Sequence, residues 1–341
     1  MSSTARYATH LERAAVRLGT LTVGAGPAVV IGGPGADAHW ISLRDRPGPG
    51  PGPGSGLGPG PGRGHGHGRE KASASVAESL MESLAAARAQ GAGPVLVEPS
   101  SAEDLPPIAE GADGAVVGAA WMRDSALVRA TAGLGLPVLV QRDPRATLEE
   151  WLEVAGHCAA EGNDGIVLCE GGGRAYPGGA ALDLALLRAA CERSGRPVLA
   201  GLGADPALAA AAIAAGADGL LLDPSATERD ALAAREAVRI FGALTRRETP
   251  DSVRAAREAI DRVDAALAVL LERRAELAGT IQRLKPVGGF AGRDADRERR
   301  LVAEMARRAP VLGEARLAPI MNAVIEAGLH LAEERRSAPQ D

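Results

Sequence analysis

The chain has 341 residues, 46% of them hydrophobic, 24% charged and only 2% aromatic, with a formal net charge of −5. That length suits two domains of ~150 residues, and the acidic balance excludes a general nucleic-acid binder, which carries a basic face. No apolar run approaches the ~18 residues of a membrane span, and the polar start MSSTARYATH is not a signal peptide, so the sequence reads as cytoplasmic with no membrane partner.

From residue 28 to 245, short β-branched runs alternate with Ala-rich helical stretches. The apolar runs are 28–32, 40–43, 95–97, 115–117, 138–140, 166–169, 198–200 and 220–222. Continuous apolar strands alternating with helices mean a parallel sheet under helical cover, and eight such units predict a (β/α)8 TIM-like barrel with its site at the strand C-terminal ends. Too few residues separate the first two strands to hold a helix, so the first unit is truncated. Residues 47–68 alternate Gly with Pro and can pack no core, which predicts a disordered loop over 47–70. His65 and His67 within it are weak metal candidates. Cys158, Cys169 and Cys191 form no CxxC pair and are odd in number, as befits free thiols in a reducing compartment.

After residue 245 the pattern turns all-helical, which sets domains at 1–245 and 246–341. Thr249-Pro250-Asp251 reads as an N-cap, a first-turn Pro and a first-turn acid, opening a helix that runs to Lys285, where Pro286 stops it. At ~1.5 Å per residue it spans about 50 Å, too long to pack on its own small globule. A second helix starts near Asp294 and a third covers roughly 313–335.

Ile260, Val263, Leu267, Leu270, Arg274, Leu277, Ile281 and Leu284 follow a 3-4 spacing, a coiled-coil-like seam carrying one cation. Lys285 lies within about 20° of Arg274 on that face, whereas Arg257 is about 100° away and cannot easily serve the same pocket on one chain. On the second helix Glu298 shares the face of Leu301, Val302 and Met305, with Arg297 at its edge. Charges on apolar faces are costly without a compensating partner. Spacing alone leaves two readings: Arg274 sets register or pairs with Glu298, or the cations form a pocket for a small dicarboxylate.

These residues carry a resemblance. Arg257 through Asp264, Leu270 through Arg274, Lys285 and Arg293 through Glu298 resemble the all-α, AroQ-type chorismate mutases over residues 252–333. The resemblance implies an intertwined homodimer of three-helix chains and a pericyclic conversion of chorismate to prephenate without cofactor. It further implies that Arg274 and a partner subunit's equivalent of Arg257 hold the two carboxylates while Lys285 serves the ether oxygen. Arg297 and Asp294 would support the loop and ring hydroxyl, and Glu298 would accept from that hydroxyl. Matching Met321, Val324 and Ile325 to the family's third-helix face puts Gly328 and Ala332 at substrate-binding positions, where the family has Ser and a Gln or Glu. Losing the latter donor costs ~10²-fold in rate, and Glu333 or His330 are candidate substitutes.

The first domain is similar to type Iβ DAHP synthases over about 28–240, most specifically at 136–170, with Val30 to Pro34 and Gly216 to Gly219 fitting the same family. That family condenses phosphoenolpyruvate with erythrose 4-phosphate on a divalent metal held by Cys, His, Glu and Asp. The matching positions read Gly35, Gly201-Leu202-Gly203, Asp223 and Ala234, so no metal is expected. The anion-binding cations are replaced by Gln141, Ala120 and Gly171, leaving Arg142, Glu170 and Arg174 for weak anion binding. The barrel therefore reads as a pseudoenzyme, either a scaffold or a regulator that docks an active DAHP synthase. A non-catalytic ligand- or partner-binding protein of the shikimate pathway is the alternative for the whole chain; a 4-amino-4-deoxychorismate mutase or isochorismate pyruvate lyase is the alternative for the helical domain.

Overall fold

The computed structural model describes residues 14–44, 67–91, 93–171, 173–174, 180–203, 205–285 and 289–337. These fall into two compact units that part between Ala259 and Ile260.

The first unit is built on eight parallel strands: β3 (Val29–Ile31), β4 (His39–Ser42), β5 (Val95–Glu98), β6 (Gly114–Val117), β7 (Val138–Gln141), β8 (Ile166–Glu170), β11 (Val198–Gly203) and β12 (Gly219–Leu222). Their order is β3-β12-β11-β8-β7-β6-β5-β4, and a parallel bridge from Ile31 to Ala38 joins the two ends, giving a nearly closed TIM-like barrel. No helix separates β3 from β4, as the short spacing requires. Elsewhere the crossovers carry α1 (His67–Gln90), α2 (Leu105–Gly111), α3 (Ser125–Ala132), α4 (Leu148–Ala160), α5 (Leu184–Arg193), α6 (Ala209–Ala215) and α7 (Glu228–Thr245). Side-chain oxygens open several of them. Asp124 accepts from Leu127 N at 3.0 Å, and Thr147 with Glu150 and Thr227 with Asp230 form reciprocal capping boxes.

Strand alternation divides the core. Ile31, Leu96, Val116, Leu139, Val167, Leu199 and Leu221 fill the barrel interior, while Val30, Val117, Val140, Leu168 and Leu222 face the helices. Two hairpins complete the unit. The first, β1 (Val16–Leu18) with β2 (Leu21–Val23), puts Val16, Leu18 and Val23 into the interior cluster and closes the N-terminal end of the barrel. The second pairs β9 (Gly173–Arg174) with β10 (Ala180–Ala181). Neither is legible in the sequence, because strands of two or three residues carry too little alternation to register.

The Gly/Pro segment lies outside the described residues up to position 66, His65 included, and its last four positions, 67–70, already belong to α1. The side chain of His67 is likewise outside the description.

The second unit holds three helices: α8 (Val253–Leu284), which begins in the first unit and runs unbroken through the boundary, α9 (Ala295–Arg308) and α10 (Gly313–Ser337). The composition shift at residue 245 therefore marks the end of α7, while the contact boundary falls further on, inside α8. The cap of α8 is Ser252, whose Oγ accepts from Ala255 N at 3.1 Å; Thr249 lies three residues too early to reach the first-turn amides. Its far end matches the expectation to one residue, although Pro286 lies outside the described residues. Asp294 caps α9 through Arg297 N at 2.9 Å. The seam of α8 lies open in the single chain, with Val263 52%, Leu270 52% and Leu284 80% exposed. Among the described residues, no helix is long and apolar enough to cross a membrane.

Leu18 is fully buried beneath the barrel. Leu18→Ala should cost ~2–5 kcal/mol of barrel stability, read as a lower urea midpoint by circular dichroism.

Candidate functional site

A cavity of about 480 Å³ opens between α8, α9 and α10 in the second unit. It is lined by Arg274, Gln282 and Lys285 from α8, by Gly289 to Glu298 at intervals, and by an apolar wall of Leu277, Ala278, Ile281, Leu301, Ile325 and Leu329. Five residues singled out by sequence meet here: Arg274, Lys285, Asp294, Arg297 and Glu298. An apolar concavity with a few convergent charges is what a small polar ligand requires.

Arg274 and Lys285 bond to carbonyl oxygens and not to carboxylates. Arg274 donates to Val324 O at 3.1 Å, and Lys285 donates to Gly292 O at 2.7 Å. Burial is the first cause that lowers the pKa of Arg274 and the nearby Arg297 cation the second, so positive charge accumulates on this wall. Asp294 is spent largely on capping α9, and that backbone hydrogen bond leads the causes that lower its pKa.

Glu298 does not pair with Arg274. It is held by Arg293, which donates to it at 2.6 Å and 3.1 Å and reaches Asn322 at 2.6 Å and Glu326 at 3.3 Å on α10. Sequence reasoning quoted Arg293 only as part of a motif. Its spacing from Glu298, five residues across a loop-to-helix junction, fits no helical pairing rule that would have marked it. This fork lowers the Glu298 pKa and keeps the carboxylate charged and oriented.

Three sequence candidates are not among the lining residues. Arg257 is exposed, five turns before Arg274 on α8. Gly328 and Ala332 are buried: Ile325 and Leu329 are the α10 residues in the lining, and Gly328 lies about 60° round the helix from Ile325, where an added Cβ would meet two residues of the cavity wall, Ala278 at 3.4 Å and Arg274 Nη1 at 4.0 Å. The candidate substitutes are elsewhere too. His330 is exposed and packs edge-on against Phe290 with ring centroids 5.1 Å apart, and Glu333 is half-buried outside the lining.

In the barrel, the alternation carried one step past the interior cluster brings Glu98, Gly118, Gln141, Gly171, Gly201 and Asp223 to the C-terminal mouth. Glu98 is buried there and accepts from Ser42 Oγ at 2.9 Å and Arg44 at 3.4 Å, so the ring carries acids and a neutral amide. Arg142 and Glu170 point the other way, into the helix layer. Arg142 donates to Glu170 through Nε and, at 2.8 Å, Nη2; its Nη1 reaches Ala146 O at 2.8 Å and Asp143 O at 3.1 Å. With all three nitrogens engaged, Arg142 is a structural cation, which corrects its expected place in an anion site. The Arg174 side chain lies outside the described residues.

The residues present do not fit a divalent metal. A Cβ at Gly35 would collide with the Arg235 guanidinium, which bonds to the carbonyls of Pro34 and Gly35. Asp223 is turned onto Ser225 N at 2.8 Å, and Gly201 to Gly203 offer no side-chain donor. Ala234, matched to the last ligand by sequence spacing, sits inside α7 in the core beneath the sheet and not at the mouth. Among the described residues, no group of three His, Cys, Asp or Glu side chains clusters for a metal.

A TIM-like barrel followed by a three-helix unit with a cationic cavity defines the class. The DAHP synthetase I family model matches residues 65–245, and the chorismate mutase type II model matches 256–333. The chain therefore belongs to the DAHP synthetase I family and carries a chorismate mutase type II domain behind its barrel. A phospho-2-dehydro-3-deoxyheptonate aldolase of Thermotoga maritima is 32% identical over 142 residues, 38% of this chain and 41% of the relative. The chain thus matches less than half the length of that relative. The crystal structure of a Thermotoga maritima aldolase of this name (DAHP synthase) superposes with a TM-score of 0.54 at 24% identity, covering 70% of this chain and 76% of that one. A truncated 3-deoxy-D-arabino-heptulosonate 7-phosphate synthase from the same organism gives 0.52 at 23%, covering 68% and 92%. These two likenesses establish the fold.

Because the Arg293 fork depresses the Glu298 pKa, the carboxylate form is retained as pH falls below the value of an unpaired Glu. Arg293→Ala should move the Glu298 titration upward in pH, measured by carbon-detected NMR of the side-chain carboxyl; an unmoved titration would contradict the assigned role.

Proposed function

We propose that the helical domain is a chorismate mutase and that the barrel in front of it is catalytically silent. The observation that carries the first part is the convergence of Arg274, Lys285 and Arg297 on one cavity together with Glu298, a carboxylate held in place by Arg293. Such a site suits a small dianion with one hydroxyl. In the rearrangement the enolpyruvyl C–O bond breaks as a C–C bond forms, six electrons move in a ring, and no proton leaves or enters. The protein need only hold the compact conformer and stabilise charge growing on the ether oxygen. Arg274 binds one carboxylate, and Arg257 from a second copy binds the other. Lys285 donates toward the ether oxygen. Arg297 and Asp294 shape the loop, and Glu298 accepts from the ring hydroxyl.

The open seam of α8 supports a homodimer through the helical domain. For the barrel, the guanidinium seated at Gly35 opposes a metal, and Gln141 and Gly171 offer no cation to phosphorylated anions, which supports a scaffold or a docking partner for an active DAHP synthase. Three buried free cysteines suit a reducing cytoplasm.

The purified chain should convert chorismate to prephenate, followed by loss of chorismate absorbance, and Arg274→Ala should abolish this without moving the barrel's thermal transition. Mixed with Arg257→Ala, which is inactive alone, the Arg274→Ala chain should regain part of the activity, because a mixed dimer holds one intact site; no recovery would refute the shared site. Phosphoenolpyruvate and erythrose 4-phosphate with manganese should show no consumption, and a metal-dependent loss would overturn the silent barrel.

A further inference from the structure

The cavity wall contains one uncharged polar side chain, Gln282. It sits on α8 two turns after Arg274 and three residues before Lys285, beside Ala278 and Ile281. Its amide orientation is settled by its neighbour: Gly289 N donates to Gln282 Oε1 at 2.7 Å, so the carbonyl end is occupied and the Nε2 end carries two N–H groups. Among the described residues, no acceptor takes them. Gly289 can offer its amide this way because it adopts φ 67°, ψ −157°, a backbone region essentially reserved for glycine. The loop thus uses a special conformation to lock one side chain of the wall.

Every other side-chain donor around the cavity is a cation, and α10 presents only Ile325 and Leu329. The wall therefore lacks a neutral donor from the third helix and has one on the first. We propose that Gln282 is a further substrate-contacting residue of the mutase site, donating through Nε2 to the breaking ether oxygen beside Lys285. The inference rests on the mutase reading and deepens it. A fixed amide aimed at growing negative charge stabilises the transition state more than bound substrate, so its loss falls mainly on kcat.

Two variants of the full chain test this. Gln282→Leu should lower kcat by about 10- to 100-fold with little change in KM. Gln282→Glu separates donation from a structural role, since a carboxylate still accepts from Gly289 but donates only when protonated. Its kcat should therefore be low at pH 8 and recover toward wild type as pH falls to 5. Gln282→Glu activity that follows the wild-type pH profile, or Gln282→Leu within twofold of wild-type kcat, overturns the assignment alone. A wild-type chain without chorismate turnover overturns the mutase reading and this assignment with it. Should Gln282→Leu fail to fold, the pH profile of Gln282→Glu still decides.

Discussion

Two cations held against an apolar wall without a carboxylate hydrogen bond of their own are the constraint on which the helical domain turns. Arg274 and Lys285 bond to carbonyl oxygens, Asp294 acts on Lys285 only through space, and Glu298 is taken by Arg293. Desolvating such cations is costly unless an anion completes the set. Geometry follows from that: Arg293 ties α9 to α10 through Glu326 and Asn322, Lys285 holds the α8–α9 loop through Gly292, and the cavity stays open between the elements so braced.

The barrel handles its charges in the opposite way. Arg142 is closed on Glu170 inside the helix layer, Arg246 on Asp218 at 3.1 Å, and Arg235 on the loop carbonyls around Gly35. These cations brace strand ends and loops. The same fold that elsewhere supports chemistry at its strand C-termini here ends in glycines, a neutral amide and acids.

The sequence pattern was most informative where long apolar runs or strict periods occur. All eight barrel strands and the three C-terminal helices stand where composition and spacing put them, because burial on both faces of a parallel strand, or along one stripe of a helix, must be written locally in side-chain polarity. The pattern failed at short elements, where the β1–β2 hairpin under the barrel carries only three residues per strand. It also failed by a turn at the α8 cap, which falls on Ser252 and not on Thr249.

The site divides along the same line. Which residue types could meet was fixed by the sequence: Arg274 and Lys285 share a helix face, and Asp294 to Glu298 open the next helix, so their convergence needed only that the helices pack. Which of them would pair was decided in three dimensions. Glu298 went to Arg293 rather than Arg274, Ile325 and Leu329 rather than Gly328 line the cavity, and Gln282 acquired an orientation from Gly289. Neighbouring stripes on a helix differ by only about 60°, and periodicity cannot say which of two adjacent stripes a neighbour will cover. Packing and a glycine-only loop conformation made that choice.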